Sequence, residues 1–398
     1  MRRNAVDGLA EPRGYRLFCV GNAMVDLFAE VSPETLGGLC ARFGLDHPVR
    51  HVSPETAGAI LAALRSPENA AAAVYSSGGG AANTAKIAAG LGVQTVFAGR
   101  VGPDSLGAFF KEELSKAGVQ TRLGESRQGT GLFIKLSGGG VPGAPRKGIP
   151  AAGEWRIAAS PGAALDLGPE DLPDPALSSG PDAAGPGVLM FEGFLMDRRA
   201  LIRRCFDLAG RGGLRLAFDP GTADIAAGHA GEILGWCAGA AAPKTPAAPK
   251  DGDGLIRRVS FILFVNEDEA EALAAHSGGA GDTPEGKGRP AGWETLFTKL
   301  SAHAGGLLAV VKLAERGAAV FSGGVIHRAA AAPVAGAEST GAGDAFAAGF
   351  LAALLRGKGP EACGRAGNAA AALVLARPGT AGKTPDPPPG DQLITRAG

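Results

Sequence analysis

The stretch ESTGAGDAFAAGF, residues 338 to 350, places one carboxylate among small residues and just before an apolar run. If that run is a helix, the N–H groups of Ala342, Gly343 and Asp344 lie unpaired at its positive end, which favours an anion. Gly341 and Gly343 carry no side chain to block its approach. Asp344 could accept the proton of an attacking hydroxyl while the amides stabilise a transferring phosphoryl group. The alternative is a Gly-rich turn in which Asp344 caps the helix.

A second glycine cluster, SSGGGAANTAKIAAGLG at residues 76 to 92, also opens a predicted helix. Asn83 lies one turn inside this helix, and the chain continues into an apolar strand and then into GRVGPDSLG. Glycine lets a ligand approach the backbone closely here as well. If the two helix starts meet in the fold, an alcohol held by one would lie against a phosphate held by the other.

The elements that must position these residues follow from short apolar runs rich in Val, Ile and Phe, which are typical of buried strands. They lie at residues 15 to 21, 95 to 102, 187 to 194, 214 to 220, 261 to 267 and 307 to 313. Segments with helical spacing separate them, at residues 81 to 92, 197 to 213 and 267 to 276. This alternation predicts an α/β protein with a parallel sheet covered by helices on both faces. Ligands of such sheets bind beyond the carboxyl ends of the strands.

The charge balance narrows the choice of partners. Lysine plus arginine and aspartate plus glutamate both total 39, so neither nucleic acid nor an anionic membrane is predicted to bind. The five cysteines are scattered and odd in number, without a C-x-x-C pair, which indicates reduced thiols in a cytoplasmic protein. No stretch resembles a signal peptide or a membrane span.

At the two glycine clusters the chain resembles the ribokinase or PfkB family of carbohydrate and nucleoside kinases. Residues 78 to 107 are similar to the family's first signature, and residues 338 to 350 are similar to its second. The resemblance implies one PfkB kinase domain over residues 1 to 398, with a ribokinase-like three-layer α/β/α fold and a mostly parallel central sheet. It also implies a small β-sheet lid, built from segments near residues 27 to 60 and 128 to 160.

The same resemblance assigns the reacting groups. Asp344 would take the hydroxyl proton, and the amides of Gly341, Ala342 and Gly343 would bind the migrating phosphoryl group. The residues implied to hold the acceptor are Asp26, Gly78, Gly79 and Asn83. Asp26 lies in CVGNAMVDL, which is similar to the family's opening strand, and one carboxylate can accept two vicinal O–H donors. Its alternative is an ordinary turn residue after a strand.

For the nucleotide, VVKLAERGAAVF resembles the family's T-L-G-x-x-G turn, although Lys312 and Ala314 replace the Thr and the first Gly. The residues that the resemblance places near ATP are Asn266, Gly317, Thr340 and Asn368. A buried helix that is mostly alanine is the alternative explanation for the segment around Asn368.

Magnesium and potassium enter through the same resemblance. FVNEDEAEAL resembles the N-x-x-E element, so Glu269 would hold Mg²⁺ through water, with Asp219 near the same water molecules. The alternative for Glu269 is an acidic first helical turn that complements the helix dipole. Glu338 replaces the family's usual Asp beside the anion hole, which leaves a K⁺ requirement open.

The leading hypothesis is therefore an ATP-dependent, magnesium-requiring kinase acting on a hydroxymethyl group of a sugar or nucleoside. The long segment at residues 31 to 73 and SPGAALDLGPEDL at residues 160 to 172 are more like the adenosine kinase branch. With two tyrosines and three tryptophans, no purine-stacking platform can be assigned, so ribose, fructose or 2-keto-3-deoxygluconate remains the alternative acceptor. A non-catalytic nucleoside-binding regulator would not need Asp344. An oxidoreductase would need G-x-G-x-x-G after the first strand, which VGNAMVD lacks.

Two segments rich in Gly, Pro and Ala, residues 239 to 254 and 277 to 292, are predicted to be flexible loops. Lid strands in such a protein either face solvent or pair in a homodimer, and the sequence does not decide between these arrangements.

Overall fold

A computed structural model of the chain describes residues 16–66, 72–139, 154–172, 187–241, 255–277, 292–332 and 340–376. Most of the two predicted flexible loops, at residues 242–254 and 278–291, lies outside the described residues, and so does Glu338.

Fourteen strands are formed by the described residues. They are β1 (Arg16–Val20), β2 (Met24–Val31), β3 (Val49–His51), β4 (Ala72–Gly78), β5 (Gln94–Val101), β6 (Gln120–Glu125), β7 (Gly131–Gly138), β8 (Trp155–Ser160), β9 (Val188–Glu192), β10 (Arg215–Asp219), β11 (Phe261–Asn266), β12 (Leu307–Lys312), β13 (Ala318–Ser322) and β14 (Val325–Ala329). All six strands predicted from apolar runs are present.

The α-helices of the described residues are α1 (Pro33–Phe43), α2 (Pro54–Leu64), α3 (Gly80–Gly90), α4 (Ser105–Lys116), α5 (Arg199–Gly212), α6 (Ala223–Gly228), α7 (Ala230–Ala238), α8 (Glu267–His276), α9 (Gly292–His303), α10 (Ala342–Leu355) and α11 (Pro360–Leu375). Helix α10 is buried on all sides from Ala345 to Leu355, which explains why its sequence is apolar throughout.

The larger sheet has nine strands in the order β14-β13-β12-β11-β10-β9-β1-β5-β6. Neighbours from β12 to β6 run parallel, and only β13 and β14 are added antiparallel. Successive residues of β11 face opposite layers: Phe264 packs into one hydrophobic cluster with α3 and α10, and Leu263 packs into the other with α5 and α8. The predicted three-layer α/β/α class is therefore confirmed.

A second sheet of five strands has the order β3-β8-β7-β2-β4. Strands from both predicted lid segments meet in it, because β2 pairs with β7 in parallel and β7 pairs with β8 antiparallel. Helices α1 and α2 both begin with Ser-Pro-Glu-Thr, and Ser32 and Ser53 accept hydrogen bonds from the backbone N–H groups three residues on. Segment 31 to 73 thus adds two capped helices and β3 to this sheet.

The structure also bears on membrane-spanning helices and on the cysteines. No helix within the described ranges is both long and apolar enough to cross a bilayer. All five cysteines are unpaired thiols, and four of them are buried.

Candidate active site

The two glycine-lined helix starts lie side by side. The side-chain amide of Asn83, in the first turn of α3, donates a hydrogen bond from Nδ2 to Oδ2 of Asp344 over 3.0 Å. The hydroxyl of Thr84 donates to the backbone carbonyl of Asp344 over 3.3 Å. The sequence clusters around residues 78 and 341 therefore contribute to one site.

The N-terminus of α10 is open. Gly341 adopts φ 79°, in the left-handed region that glycine tolerates, and no side chain caps the helix. Helical hydrogen bonding starts with the N–H of Ala345, which donates to the carbonyl of Gly341 over 2.9 Å. The three preceding amides, those of Ala342, Gly343 and Asp344, have no partner within the helix. The alternative that Asp344 caps α10 is wrong, because its carboxylate points to Asn83 instead.

A lysine lies over the first turn of α10. A Cβ atom added at Gly343 would be 3.4 Å from Nζ of Lys312, at the end of β12. The same ammonium forms an ion pair with Oδ2 of Asp219 at 2.7 Å. Sequence reasoning treated Lys312 only as a departure from the family's nucleotide turn, and it did not predict a lysine side chain at the start of α10.

The start of α3 needs glycine for two different reasons. At Gly78, a Cβ atom would overlap the Asp26 carboxylate, 2.0 Å from its Oδ1 atom. At Gly79, φ is 94° and a Cβ atom would be 2.2 Å from the carbonyl oxygen of Asn22. Asp26 is not a turn residue: it lies in β2 opposite Ser76 of β4, and its carboxylate rests over Gly78.

A buried glutamate that sequence reasoning missed joins the turn after β1 to the start of α3. Glu192 ends β9 and is 5% exposed. Its two carboxylate oxygens accept hydrogen bonds from the backbone N–H groups of Asn22, at 2.7 Å, and Ala81, at 3.0 Å. The signal was available, because Glu192 is a polar residue at the carboxyl end of a buried parallel strand.

A cavity of about 470 Å³ opens beside the Asn83–Asp344 pair. Its polar lining comes from Asp26, Ser76, Asn83, Lys86, Thr340 and Gly341, and its apolar lining from Phe28, Ile87, Leu91, Ala370, Leu373 and Val374. The structure therefore brings two of the predicted acceptor residues, Asp26 and Asn83, and the start of α10 to the walls of one cavity, whereas Gly78 and Gly79 are not part of its lining. Such a volume suits a small organic molecule.

The acid–base character of the site follows from burial. Burial raises the pKa of Asp344 to about 7, and the charges of Asp219 and Glu192 add to this rise, while the hydrogen bond from Asn83 opposes it. Burial also raises the pKa of Asp26 to about 7 against the lowering effect of Lys86. Asp344 can thus be a proton acceptor with a pKa near neutrality, as a general base requires.

The predicted metal residues are engaged with protein groups. Glu269, 1% exposed, closes a capping box with Asn266, in which Oε2 accepts from the Asn266 N–H at 2.8 Å and Oε1 from its Nδ2 at 3.0 Å. Asp219 accepts from the Gly221 N–H at 3.0 Å and from Lys312. Within the described ranges, no three His, Cys, Asp or Glu residues are grouped to hold a metal. With these oxygens engaged, Asp219 and Glu269 would reach a hydrated Mg²⁺ through water, and this role stays a prediction.

The predicted nucleotide residues lie apart from the acceptor cavity, with the exception of Thr340, which lines it. Gly317 has φ 88°, and a Cβ atom there would be 2.0 Å from the carbonyl oxygen of Ala329. Asn368 donates from Nδ2 to the carbonyls of Ala329, at 2.9 Å, and Ala330, at 3.1 Å. Gly317 and Asn368 therefore converge on the end of β14, and their nucleotide contacts stay predictions.

Comparison with known proteins places this site in context. The profile described as "pfkB family carbohydrate kinase" matches residues 56–139 and 233–387, together more than half of the chain. Among solved structures, an adenosine kinase from Sinorhizobium meliloti is 24% identical, with a TM-score of 0.67, 94% of this chain covered and 97% of that one.

Two further structures are similar. A probable sugar kinase from Rhizobium etli is 24% identical, with a TM-score of 0.65 and coverage of 94% of this chain and 96% of that one. An adenosine kinase from Schistosoma mansoni in complex with 2-fluoroadenosine is 19% identical, with a TM-score of 0.66 and coverage of 94% and 98%. At these identities the similarity establishes a shared fold.

Proposed function

Because the chain belongs to the PfkB family of carbohydrate kinases, we propose that it transfers the terminal phosphoryl group of ATP to a hydroxymethyl group of a sugar or nucleoside. One observation carries this proposal: the hydrogen bond between Asn83 and Asp344 joins an acceptor cavity to an open helix N-terminus. A binding protein without catalysis would need the cavity but neither Asp344 nor the open amides of α10.

The reaction follows from this geometry. The acceptor lies in the cavity with its hydroxyls on Asp26 and Asn83. Its reacting oxygen faces Asp344, which accepts the hydrogen bond from Asn83. That oxygen forms the new bond to the terminal phosphorus as the bond to the ADP leaving oxygen breaks, and its proton passes to Asp344. The amides of Ala342 and Gly343 donate to the migrating phosphoryl oxygens and stabilise their charge.

Magnesium would accompany ATP and neutralise part of the charge on its phosphates. Asp219 and Glu269 would reach it through water, since their oxygens already accept hydrogen bonds from Lys312, Gly221 and Asn266. Asn266, Gly317, Thr340 and Asn368 remain the proposed nucleotide contacts. The five-stranded sheet is proposed to act as a lid that excludes water from the phosphoryl donor.

A nucleoside is the preferred acceptor. The apolar side of the cavity, with Phe28, Ile87 and Leu91, offers a surface for a base, while Asp26 and Asn83 offer hydrogen bonds for ribose. The similar Schistosoma mansoni adenosine kinase was solved with 2-fluoroadenosine. A sugar is the second candidate, because the Lys86 ammonium beside Asp26 gives this end of the cavity a charged lining that suits a compact polyhydroxylated molecule.

An ADP-release screen tests the proposal. Nucleosides and five- and six-carbon sugars are offered with ATP, each with and without Mg²⁺ and K⁺, and Asp344→Asn protein serves as the blank. We expect acceptor-dependent ADP release that requires Mg²⁺, and a phosphomonoester product detected by mass spectrometry. ADP release that is equal in the wild-type protein and the blank for every acceptor would contradict the proposal.

A further inference from the structure

The reaction proposed above assigns no function to Lys312. Strand β12 delivers this residue to the carboxyl edge of the large sheet, next to Asn266 on β11. Its side chain is 16% exposed, and Nζ lies 3.4 Å from the point where a Cβ atom at Gly343 would be. The ammonium group is thus adjacent to the first turn of α10, where the phosphoryl group is proposed to bind.

Asp219 holds the ammonium there. The Nζ–Oδ2 distance is 2.7 Å, the Asp219 side chain is 12% exposed, and its other oxygen accepts from the Gly221 N–H. A lysine ammonium has three N–H donors, and this ion pair uses one of them. Among the described residues, Asp219 is the one acceptor of this ammonium, so two donors remain for a group bound near Gly343.

Carboxylates surround this lysine. Asp219 pairs with its ammonium, and Glu269 and Asp344 are close enough for their charges to act on it. These carboxylates would repel a phosphate chain at the start of α10, and the ammonium offsets part of that repulsion.

A purely structural ion pair is the competing explanation, since buried lysine–aspartate pairs occur without any ligand. Such a pair would not by itself place its ammonium at the open start of a helix. Here Nζ lies in van der Waals range of the point where a Cβ atom at Gly343 would be, next to the open amides of α10. The cation therefore lies beside the helix turn that carries the open amides and Asp344.

We propose that Lys312 is a catalytic residue that donates hydrogen bonds to the transferring phosphoryl group, with Asp219 as the positioning residue for its ammonium. The inference rests on the proposed kinase function. The lysine forms no covalent bond and transfers no proton, so it contributes fixed positive charge as the terminal phosphoryl group of ATP moves to the acceptor and ADP leaves.

The test compares Lys312→Met with Lys299→Met, which alters an exposed lysine on α9. Binding of ADP and of the non-hydrolysable ATP analogue AMP-PNP is measured by calorimetry, and kcat by ADP release. We expect Lys312→Met to weaken AMP-PNP by about tenfold and ADP by less than about threefold, because only the terminal phosphate reaches the ammonium. We expect kcat to fall by about 10²-fold, as for the loss of one oxyanion donor.

Gly343→Ala is an independent variant that keeps the charges of both Lys312 and Asp219. Its methyl group would stand in van der Waals contact with Nζ and occupy the proposed phosphoryl position, so the same selective loss of AMP-PNP is expected with an unchanged melting temperature. Gly58→Ala, in open space on α2, is the matched control. This variant keeps the test valid if Lys312→Met does not fold with Asp219 unpaired.

The outcomes separate the two proposals. Equal weakening of ADP and AMP-PNP by Lys312→Met, or kcat within about threefold of wild type, would assign Lys312 a structural role and overturn the inference. Absence of acceptor-dependent turnover in the wild-type protein would instead count against the kinase proposal, while the two binding measurements would still decide whether Lys312 contacts the terminal phosphate.

Discussion

The amide of Asn83 donates to the carboxylate of Asp344 over 3.0 Å, across 261 residues of sequence. The contact orients the carboxylate away from its own helix and towards the acceptor cavity. It also fixes the separation between α3, which carries the proposed acceptor residue Asn83, and α10, which carries the open amides. A proton acceptor and an anion site held at constant spacing are what in-line phosphoryl transfer requires.

Replacing Asp344 with Asn should abolish turnover and leave nucleotide binding nearly intact. The substitution keeps the size of the side chain but removes the base, so kcat should fall by about 10²- to 10⁴-fold. ADP release and calorimetric ATP affinity measure the two effects. Asp207→Asn, at an exposed position of α5, is the matched control. Activity of the Asp344 variant within about tenfold of wild type would refute the general-base role.

The pH profile should reveal two carboxyl groups. Burial raises the pKa values of Asp344 and Asp26 to about 7, and both act in the ionised form, one as base and one as hydrogen-bond acceptor. Activity is therefore complete above this pKa and is lost as the pH falls through it. The logarithm of kcat/KM should rise with a slope approaching about 2 below pH 7, and Asp26→Asn should reduce this slope to about 1. A profile that stays flat down to about pH 5 would contradict both assignments.

The sequence predicted the framework of this site well. Apolar runs located six strands of the large sheet, because strands buried on both faces lack polar residues. Glycine clusters located both helix starts, since Gly79 and Gly341 adopt positive φ angles that other residues avoid. The resemblance places both family signatures in one site, which predicted that the helix starts of Asn83 and Asp344 would meet.

Other features depend on tertiary contacts that no local pattern encodes. The sequence around Glu192 does not show which groups its carboxylate binds. In the fold, its two oxygens accept hydrogen bonds from the backbone N–H groups of Asn22 and Ala81. The N-x-x-E element fits both a capping box and a metal site. In the structure, Glu269 accepts a hydrogen bond from the backbone N–H of Asn266 and closes a capping box. Lys312 was noted as a departure, but its proximity to Gly343 arises from β12 and α10 meeting across the sheet edge.

Glu192→Gln should weaken both the fold and acceptor binding. A glutamine offers one oxygen to two backbone donors, so the N–H of either Asn22 or Ala81 would face an amide NH₂ group. An unsatisfied buried donor costs about 1 to 3 kcal/mol, which should lower the melting temperature. The acceptor KM should rise, because the backbone at Asn22, which leads into the strand of Asp26, and the start of α3, which carries Asn83, would loosen. Glu112→Gln, on the exposed face of α4, should change neither quantity. An unaltered melting temperature for Glu192→Gln would show that this carboxylate does not hold the turns.

Ala314→Gly should stabilise the protein, against the usual effect of adding glycine. Ala314 has φ 50°, a left-handed conformation that destabilises non-glycine residues by about 1 to 2 kcal/mol. The turn is held by hydrogen bonds from Leu313 N–H to Gly317 O at 2.8 Å and from Gly317 N–H to Ala314 O at 3.0 Å, so the backbone cannot relax. Glycine relieves the strain but increases the entropy of the unfolded chain, which leaves a net gain of up to about 1 kcal/mol in thermal or urea unfolding. Ala369→Gly, exposed in α11, should lose about 1 kcal/mol instead. Equal destabilisation by both substitutions would show that the turn at Ala314 is unstrained.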